Sequence, residues 1–236
     1  MARRRTTSLL AAAAALAACG GVADGVQRGG GPGEPVPVFA ALAAPEGPGR
    51  AQLRSGDLAG ARATFEAALA ADPDRLAELN DLAVSYHLEG RDEAARQLLD
   101  EVVARGGSQE QQAALVNLAG LYALQGYLPV AQAHVDAARG VDLSRPEPLY
   151  AAALLADARA DAAAAVALAR QALRADEGGR CRQELAFASP EERLHLEALL
   201  AEATGDRLGA AERWRELRGG RFAALAAAAE RHLGER

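Results

Sequence analysis

The chain has 236 residues and a formal net charge of -6, and half of its residues are apolar. It contains 61 Ala, no Ile and no Lys, and only 16 residues are Val or Thr. Strands favour β-branched and aromatic residues, whereas Ala, Leu, Arg, Glu and Gln favour helices. The composition therefore excludes a β protein and predicts an all-α fold. The acidic balance and the dispersed Arg residues indicate that nucleic acid is not a partner.

The first 18 residues have the layout of a secretory signal peptide. Three consecutive Arg residues, Arg3, Arg4 and Arg5, precede an apolar stretch from Leu9 to Ala18 that ends in small residues. This stretch has about ten residues, whereas a membrane-spanning helix needs about 20. The segment is therefore predicted to direct export and not to anchor the chain as a transmembrane helix.

The segment 16–19, Leu-Ala-Ala-Cys, resembles the lipobox of bacterial lipoproteins, in which the Cys is acylated and becomes the first residue after cleavage. The resemblance implies a signal peptide over residues 1–18 and lipidation of Cys19. Because Gly20 and not Asp follows, it also implies sorting to the outer membrane. A plain signal peptide, or an Ala-rich helix with a chance Cys, is the alternative. The mature chain would have 23 Arg against 32 acidic residues, a charge of -9.

Residues 20–49 contain nine Gly and five Pro. This composition is typical of a flexible linker, so residues 19–49 are predicted to be the lipidated Cys and a tether. Such a chain has a root-mean-square span of about 30 Å. A folded, periplasm-facing body would then hang from the outer membrane. The alternative is that four apolar residues of this segment dock on the body: Val36, Val38, Phe39 and Leu42.

From residue 50 onward a short turn-like step recurs at intervals of 34, 36, 34 and 45 residues. Recurrence near 34 residues is typical of an array of helical hairpins. After each step a small residue is followed, four positions later, by an apolar or small one, which places both on one helix face. The steps begin at Gly56, Gly90, Gly126, Ala160 and Gly205, and the pairs are Ala61 and Phe65, Ala95 and Leu99, Ala131 and Val135, Ala165 and Ala169, and Ala210 and Trp214.

Two segments before the second and third steps share a pattern of a large apolar residue, a Leu, a small residue and a Tyr. They are Leu79-x-x-Leu82-Ala83-x-x-Tyr86 and Leu115-x-x-Leu118-Ala119-x-x-Tyr122. With the hairpin period, they resemble the tetratricopeptide repeat. The resemblance implies a solenoid over residues 50–236 with four to five repeats, the first incomplete because Pro and Gly residues fall where its first helix should be. It also implies a loop-like insertion at 176–189 and a capping helix at 220–233.

The resemblance further implies a concave groove, lined by first-helix residues that lie between the packing positions. In this sequence those positions are Asn80, Val84, His87, Leu88, Val116, Gly120, Leu124, Tyr150, Leu154, His195 and Leu199. This lining is mostly apolar and lacks the Lys, Arg and Asn set with which some members of the family bind a terminal carboxylate. We therefore expect a helix or extended segment of a protein partner. The alternative for each residue is packing between repeats.

The sequence carries no pattern of an enzyme or a metal site. The four His residues are far apart, and no nucleophile motif or phosphate-binding loop is present. We therefore predict no catalytic residues, metal, cofactor or small-molecule substrate. Cys181 is a lone thiol in the insertion, either buried and inert or exposed in a loop. We expect the substitution Cys181→Ser to leave function unchanged.

These features together predict a non-enzymatic, lipid-anchored scaffold that binds an envelope protein and assists its assembly or localisation. The architecture resembles the pilotins of type IV pilus systems, which implies a secretin as the partner. Other envelope lipoproteins share this architecture, including a subunit of the β-barrel assembly machinery. The alternative function is an accessory regulator of a peptidoglycan-metabolising enzyme.

Overall fold

The computed structural model describes residues 32–234 and shows twelve α-helices in that range. Their bounds are α1 Pro48–Ser55, α2 Leu58–Ala71, α3 Leu76–Leu88, α4 Asp92–Arg105, α5 Ser108–Leu124, α6 Leu128–Val141, α7 Glu147–Ala158, α8 Ala162–Ala175, α9 Arg180–Glu184, α10 Pro190–Thr204, α11 Arg207–Arg218 and α12 Ala223–Gly234. The predicted signal peptide, Cys19 and tether residues 20–31 lie outside the described residues. Within residues 32–234, no helix combines the length and apolar character that crossing a membrane requires.

The helices form consecutive antiparallel hairpins, as the repeat period predicts. Each second helix packs on its own first helix and on the first helix of the next hairpin. The first helices also touch one another in order, α3 with α5, α5 with α7 and α7 with α10, and so form one continuous layer. This arrangement confirms the predicted all-α solenoid of helical hairpins.

The recurring step is the turn between the two helices of a hairpin. The residue at each step has a left-handed backbone, with φ between 63° and 83° at Gly56, Gly90, Gly126, Ala160 and Gly205. Such a residue ends a helix and reverses the chain, and Gly adopts it without steric cost. In three hairpins an Asp then accepts a hydrogen bond from the main-chain N–H three residues later and begins the second helix: Asp57, Asp161 and Asp206.

The small residues of the repeat lie where two helices approach closely. The five Ala residues predicted for these positions are fully buried: Ala61, Ala95, Ala131, Ala165 and Ala210. Their partners four residues later are at most 3% exposed, and they include the two largest side chains of the pattern, Phe65 and Trp214. The spacing therefore identifies the face that each second helix buries.

We expect Ala131→Leu to destabilise the chain by about 1–3 kcal/mol, because a larger side chain overpacks a contact that has no free volume. Ala137→Leu is the matched control, since Ala137 lies on the exposed face of the same helix. Urea unfolding followed by circular dichroism measures both. Equal unfolding midpoints for the two variants would contradict the assigned packing face.

The first hairpin is shortened at its first helix, as the Pro and Gly residues predict. Helix α1 has eight residues, whereas α2 has 14. Pro48 begins α1, where a missing N–H has no cost. A Cβ on Gly49 would lie 2.6 Å from the ring of Phe65, so only Gly permits this close contact between α1 and α2.

The insertion and the C-terminal helix complete the body. Residues 176–189 are not entirely a loop as predicted, because they contain the five-residue helix α9 and, at Ala186, a β-bridge residue. The predicted capping helix is α12, which buries Leu225 and packs on both α11 and α7. Because α7 belongs to the fourth hairpin and α12 follows the fifth, the cap packs on a hairpin that is not its neighbour in sequence.

Candidate functional site

Residues 33–44, which we call the strap, lie in extended form along the layer of first helices. Nine consecutive strap residues, 36–44, are buried, and Val36 and Phe39 are each only 1% exposed. In this part of the chain the structure differs from the predicted tether and shows the alternative, a segment docked on the body. Apolar side chains drive the docking, since burial of each Val or Phe contributes about 1.5–3 kcal/mol.

Two Asn side chains hold the middle of the strap. The Oδ1 atom of Asn117 accepts a hydrogen bond from the main-chain N–H of Ala41 at 2.7 Å. The Nδ2 groups of Asn117 and Asn80 both donate to the main-chain oxygen of Ala41, each at 3.0 Å. Asn117 also donates to Oδ1 of Asn80 at 2.9 Å. The pair, from α5 and α3, thus binds both polar main-chain groups of one strap residue.

An acidic side chain holds the end of the strap. The carboxylate of Asp81, fully buried in α3, accepts hydrogen bonds from the main-chain N–H groups of Ala43 and Ala44 at 2.7 and 3.3 Å. The guanidinium of Arg50 donates to the main-chain oxygen of Ala44 at 3.0 Å. Arg50 is itself 5% exposed and lies 3.8 Å from Glu184 of the insertion.

The environment of Asp81 favours its protonated form. Burial raises the pKa of Asp81 to about 6, although the hydrogen bonds from Ala43, Asn80 and Ala44 and the positive charge of Arg50 oppose the rise. At neutral pH the buried carboxylate of Asp81 therefore lowers the free energy of unfolding relative to its protonated form.

We expect the free energy of unfolding to fall as pH rises from about 4 to about 6, because the folded carboxyl of Asp81 keeps its proton over this window while the unfolded one, with a pKa of 3.8, does not. Asp81→Asn should remove this contribution. Urea titrations at several pH values measure it, with Asp136→Asn, on an exposed position of α6, as control. An identical slope in the Asp81 variant and the parent would contradict the assignment.

The start of the strap binds the end of α5. The main-chain N–H groups of Gly33 and Val36 donate to the oxygens of Gly126 and Ala123 at 3.0 and 2.9 Å. Gly126 has φ of +82°, and a Cβ there would lie 2.2 Å from the oxygen of Gly33. Both the backbone and the approach of the strap therefore require Gly at this position.

The insertion covers the outer side of the strap. Ala40 and Ala186 form an antiparallel β-bridge, with N–H to O distances of 2.8 and 2.9 Å. The ring of Phe187 meets that of Phe39 edge to face, with centroids 6.4 Å apart. The strap is thus held between the first helices on one side and residues 185–187 on the other.

The surface of α3 and α5 that contacts the strap is the groove. Val84, His87 and Gly120 line it opposite Val38 and Phe39. The cavity at this contact has a volume of about 10 Å³, which is no more than one water molecule needs, and strap residues 36–44 are all buried. The strap therefore fills the groove.

The eleven predicted groove residues divide into two sets. Those of α3 and α5 are at or near the strap. Asn80 binds Ala41, and three residues line the groove: Val84, His87 and Gly120. Leu88 and Val116 belong to apolar clusters that contain strap residues, and Leu124 is half-buried at the end of α5. Those of α7 and α10 are fully buried: Tyr150, Leu154, His195 and Leu199. The structure therefore places the second set inside the body and not on a surface open to a partner.

His195 belongs to a buried polar network that joins α7, α10, α11 and α12. Its Nε2 lies 2.7 Å from Oδ2 of Asp157, and Nε2 of His232 lies 2.9 Å from the other oxygen of that carboxylate. Nδ1 of His232 lies 2.9 Å from Oε2 of Glu202, whose Oε1 accepts from the indole N–H of Trp214 at 2.9 Å. The Trp214 and His232 rings stack at 4.2 Å.

The network raises the pKa of His232 and lowers the pKa of Asp157. Burial lowers the pKa of His232, but hydrogen bonds to Asp157 and Glu202 and their charges outweigh it and raise the pKa to about 9. Burial raises the pKa of Asp157, but the hydrogen bonds and charges of His195 and His232 hold it well below its ordinary value. Within the network, His232 and Asp157 form a charged pair, and both are at most 4% exposed. This pair joins α12, the cap, to α7.

Sequence reasoning missed three residues that bind the strap through their side chains: Asp81, Asn117 as a strap ligand, and Arg50. A polar residue among the apolar positions of a first helix was the available signal. Asp81 and Asn117 stand at equivalent positions of successive repeats, two residues after Leu79 and Leu115, and Asn80 directly precedes Asp81. Ala186 of the insertion gave no signal, because its contact is made by the main chain.

Across residues 32–234, no group of three or more His, Cys, Asp or Glu side chains is placed to hold a metal ion. Cys181 is half-buried, and burial, together with the nearby charges of Glu147 and Asp176, raises the pKa of its thiol. A thiol that stays protonated is a weak nucleophile.

Comparison with known proteins bears on the fold. Residues 52–118 match the model of the tetratricopeptide repeat. A chain of the crystal structure of the APC/C hetero-tetramer Cut9–Hcn1 is similar over 80% of this chain, with 15% identity and a TM-score of 0.57, and this chain spans 36% of the length of that one. Two crystal structures of MamA are 16% and 18% identical over 81% and 74% of this chain and 99% and 92% of theirs, each with a TM-score of 0.43. No match was found among curated proteins.

The repeat match runs from within α1 to within α5 and includes the whole second hairpin. The likeness to the Cut9–Hcn1 structure extends over most of the chain and includes hairpins whose sequences depart from the pattern. The part of the chain that the structure describes therefore has the fold of a tetratricopeptide-repeat solenoid.

Proposed function

We propose that the protein is a non-enzymatic, lipid-anchored scaffold whose groove binds an extended segment of an envelope protein and assists the assembly or localisation of that protein. One observation supports the binding role above others: side chains of α3 and α5 already hold an extended chain through its main-chain groups. Repeat solenoids commonly bind protein partners on the surface that their stacked helices form.

The contacts favour an extended partner over a helical one. A helix satisfies its own main-chain groups, so it could not supply the free N–H and C=O groups that Asn80, Asn117 and Asp81 bind. An extended chain leaves these groups available, and its side chains alternate between the groove and the opposite side. The strap meets the first condition through the main-chain groups of Ala41 and Ala43, and we propose that the partner does as well.

The resemblance of residues 16–19 to a lipobox supports anchoring through Cys19. Only 13 residues lie between Cys19 and Gly33, the first residue of the strap, so the two are at most about 50 Å apart when this segment is fully extended. A lipid on Cys19 would therefore keep the groove within reach of proteins at the membrane surface. Acylation by two or three chains is sufficient for stable anchoring without a transmembrane helix.

Site-specific cross-linking tests the proposed partner. A photoreactive residue at His87, in the groove, should cross-link to an envelope protein in intact cells, whereas one at Leu143, which is 81% exposed and remote in sequence, should not. A secretin subunit among the products would support the pilus role. A peptidoglycan enzyme would favour the alternative function, and failure to cross-link any envelope protein would overturn the scaffold proposal.

Metabolic labelling with a fatty acid tests the anchor separately. The parent chain should incorporate the label and fractionate with outer membranes, and Cys19→Ala should do neither. Cys181→Ser is the matched control, because it removes the other thiol of the chain. Equal labelling of the parent and Cys19→Ala would refute lipidation at this position.

A further inference from the structure

We propose that the strap is an exchangeable occupant of the groove and that the partner's segment takes its place by making the same main-chain contacts. The inference rests on the proposed function, since it describes how that partner is recognised and what it must displace. The partner's segment would be extended, uncharged and about nine residues long, the length of the buried part of the strap.

The groove needs an occupant at all times. Asn80 and Asp81 are fully buried and Asn117 is 6% exposed, and the strap supplies hydrogen-bond partners to all three. Without an occupant these groups would lie on an apolar surface with fewer partners, which folded proteins avoid. A partner segment can therefore displace the strap only if it forms the same hydrogen bonds with Asn80, Asp81 and Asn117.

Recognition by the groove depends little on the occupant's sequence. Each hydrogen bond between the strap and Asn80, Asn117, Asp81 or Arg50 joins a main-chain atom of the strap, so any extended chain with free N–H groups at three positions could form the same set. Those positions correspond to Ala41, Ala43 and Ala44. A partner segment can therefore differ from the strap in sequence but cannot have Pro at any of the three.

The side chains of the strap indicate what else the partner needs. Phe39 is 1% exposed and packs against Phe187, so a large apolar residue is expected at its position. Ala41 and Ala43 are only 2% and 6% exposed, so small residues are expected there. A charged residue among the nine would be buried at a free-energy cost, and residues 36–44 of the strap contain none.

The strap can leave without unwinding a helix. It is an extended segment joined to α1 by the exposed residues Pro45 and Glu46. On its outer side it meets the insertion through one two-residue β-bridge and the contact of Phe39 with Phe187. Each helix of the solenoid keeps its own main-chain hydrogen bonds when the strap is displaced.

The covalent link makes the strap a strong competitor. A segment joined to its site by a short connection has an effective concentration in the millimolar range. A free peptide with the same sequence therefore competes poorly against it. Cutting the chain between Pro45 and Glu46 removes this advantage and leaves the groove residues unchanged.

The test uses the mature chain with a specific protease site inserted between Pro45 and Glu46, cut after folding. A fluorescent peptide with the sequence of residues 32–45 should then bind the cut chain with an affinity at least 100-fold higher than the uncut chain. The same peptide carrying Phe39→Asp should not bind either form. Fluorescence anisotropy measures binding, and circular dichroism at 222 nm reports whether the solenoid stays folded.

Three results would overturn the proposal. Equal binding of the peptide to cut and uncut chain would place its site elsewhere. Retention of the original strap fragment against a large excess of peptide, or loss of helical signal when the fragment leaves, would make the strap a permanent part of the core. Dimers of the uncut chain that dissociate on addition of the peptide would assign the exchange to a second copy of this chain and not to a different partner.

The exchange test needs no cellular partner, so it fails independently of the proposed function. Peptide exchange without cross-linking of an envelope protein from His87 would leave the strap proposal standing and remove the scaffold role. Cross-linking of an envelope protein, together with a strap that never exchanges, would leave the scaffold role standing and place the partner outside the filled groove.

Discussion

Asn117→Ala should lower the free energy of unfolding by about 2–6 kcal/mol, because it leaves two buried polar groups without their partner at about 1–3 kcal/mol each. These groups are the main-chain N–H of Ala41 and the Oδ1 atom of Asn80. The oxygen of Ala41 keeps its hydrogen bond from Asn80. The loss should therefore weaken the strap more than the packing of the hairpins.

Hydrogen exchange followed by mass spectrometry separates these two effects. Peptides that contain residues 36–44 should lose protection in Asn117→Ala, whereas peptides from α10 to α12 should exchange as in the parent. Gln109→Ala is the matched control, since Gln109 is exposed on the same helix. Uniform loss of protection along the chain would show that Asn117 supports the whole solenoid and has no particular role in holding the strap.

The repeat was predictable because it depends on local chemistry. A left-handed residue at Gly56, Gly90 or Gly126 and a small residue five positions later follow from the geometry of one hairpin, so they recur visibly in the sequence. Even the degenerate fourth hairpin keeps the feature, with φ of 63° at Ala160. Each such position is determined by its neighbours in the chain, and spacing alone reveals it.

The strap was predicted poorly because its composition and its environment give opposite indications. Gly and Pro favour a linker, and Pro removes main-chain donors that a helix would need. The same residues suit an extended segment whose main chain is bound by side chains from elsewhere. Those side chains, Asn80, Asp81 and Asn117, lie 37 to 76 residues away from the strap residues that they bind, and no local pattern connects them.

The buried network at the cap could not be predicted for the same reason: its residues are far apart in the sequence. His195, Asp157 and His232 are separated by 38 and 75 residues between hydrogen-bonded partners. Sequence spacing suggested that the His residues were unrelated and that His195 lined the groove. The packing of α12 on α7, a helix of the fourth hairpin, brings them together.

Substitutions in this network should weaken the packing of the cap. Asp157 is the shared acceptor of both His residues, and its own main-chain oxygen accepts from Arg231 of α12 at 2.7 Å. Removal of one partner of a buried ion pair costs about 3–5 kcal/mol, because the remaining charge stays buried. Substitution of Asp157 should therefore be more damaging than that of any exposed acidic residue.

Protonation of His232 makes the stability of the cap depend on pH. Its pKa is about 9 in the folded chain, above the ordinary 6.5, so its stabilisation is complete below about pH 6.5 and is lost as pH rises through about 9. A rise of this size corresponds to about 3 kcal/mol. Asp157 acts in the opposite direction, because its lowered pKa contributes stability above about pH 4 that is lost as pH falls toward the folded-state value.

We therefore expect Asp157→Ala to lower the free energy of unfolding by about 3–5 kcal/mol at pH 7 and to remove most of its decline between about pH 6.5 and pH 9. His232→Ala should remove the same decline, because the titrating group is then absent. Asp136→Ala, on an exposed position of α6, is the control and should keep the slope of the parent. Urea titrations across this pH range measure all four chains, and a parent whose stability stays constant from pH 6.5 to pH 9 would show that His232 does not carry the buried charge.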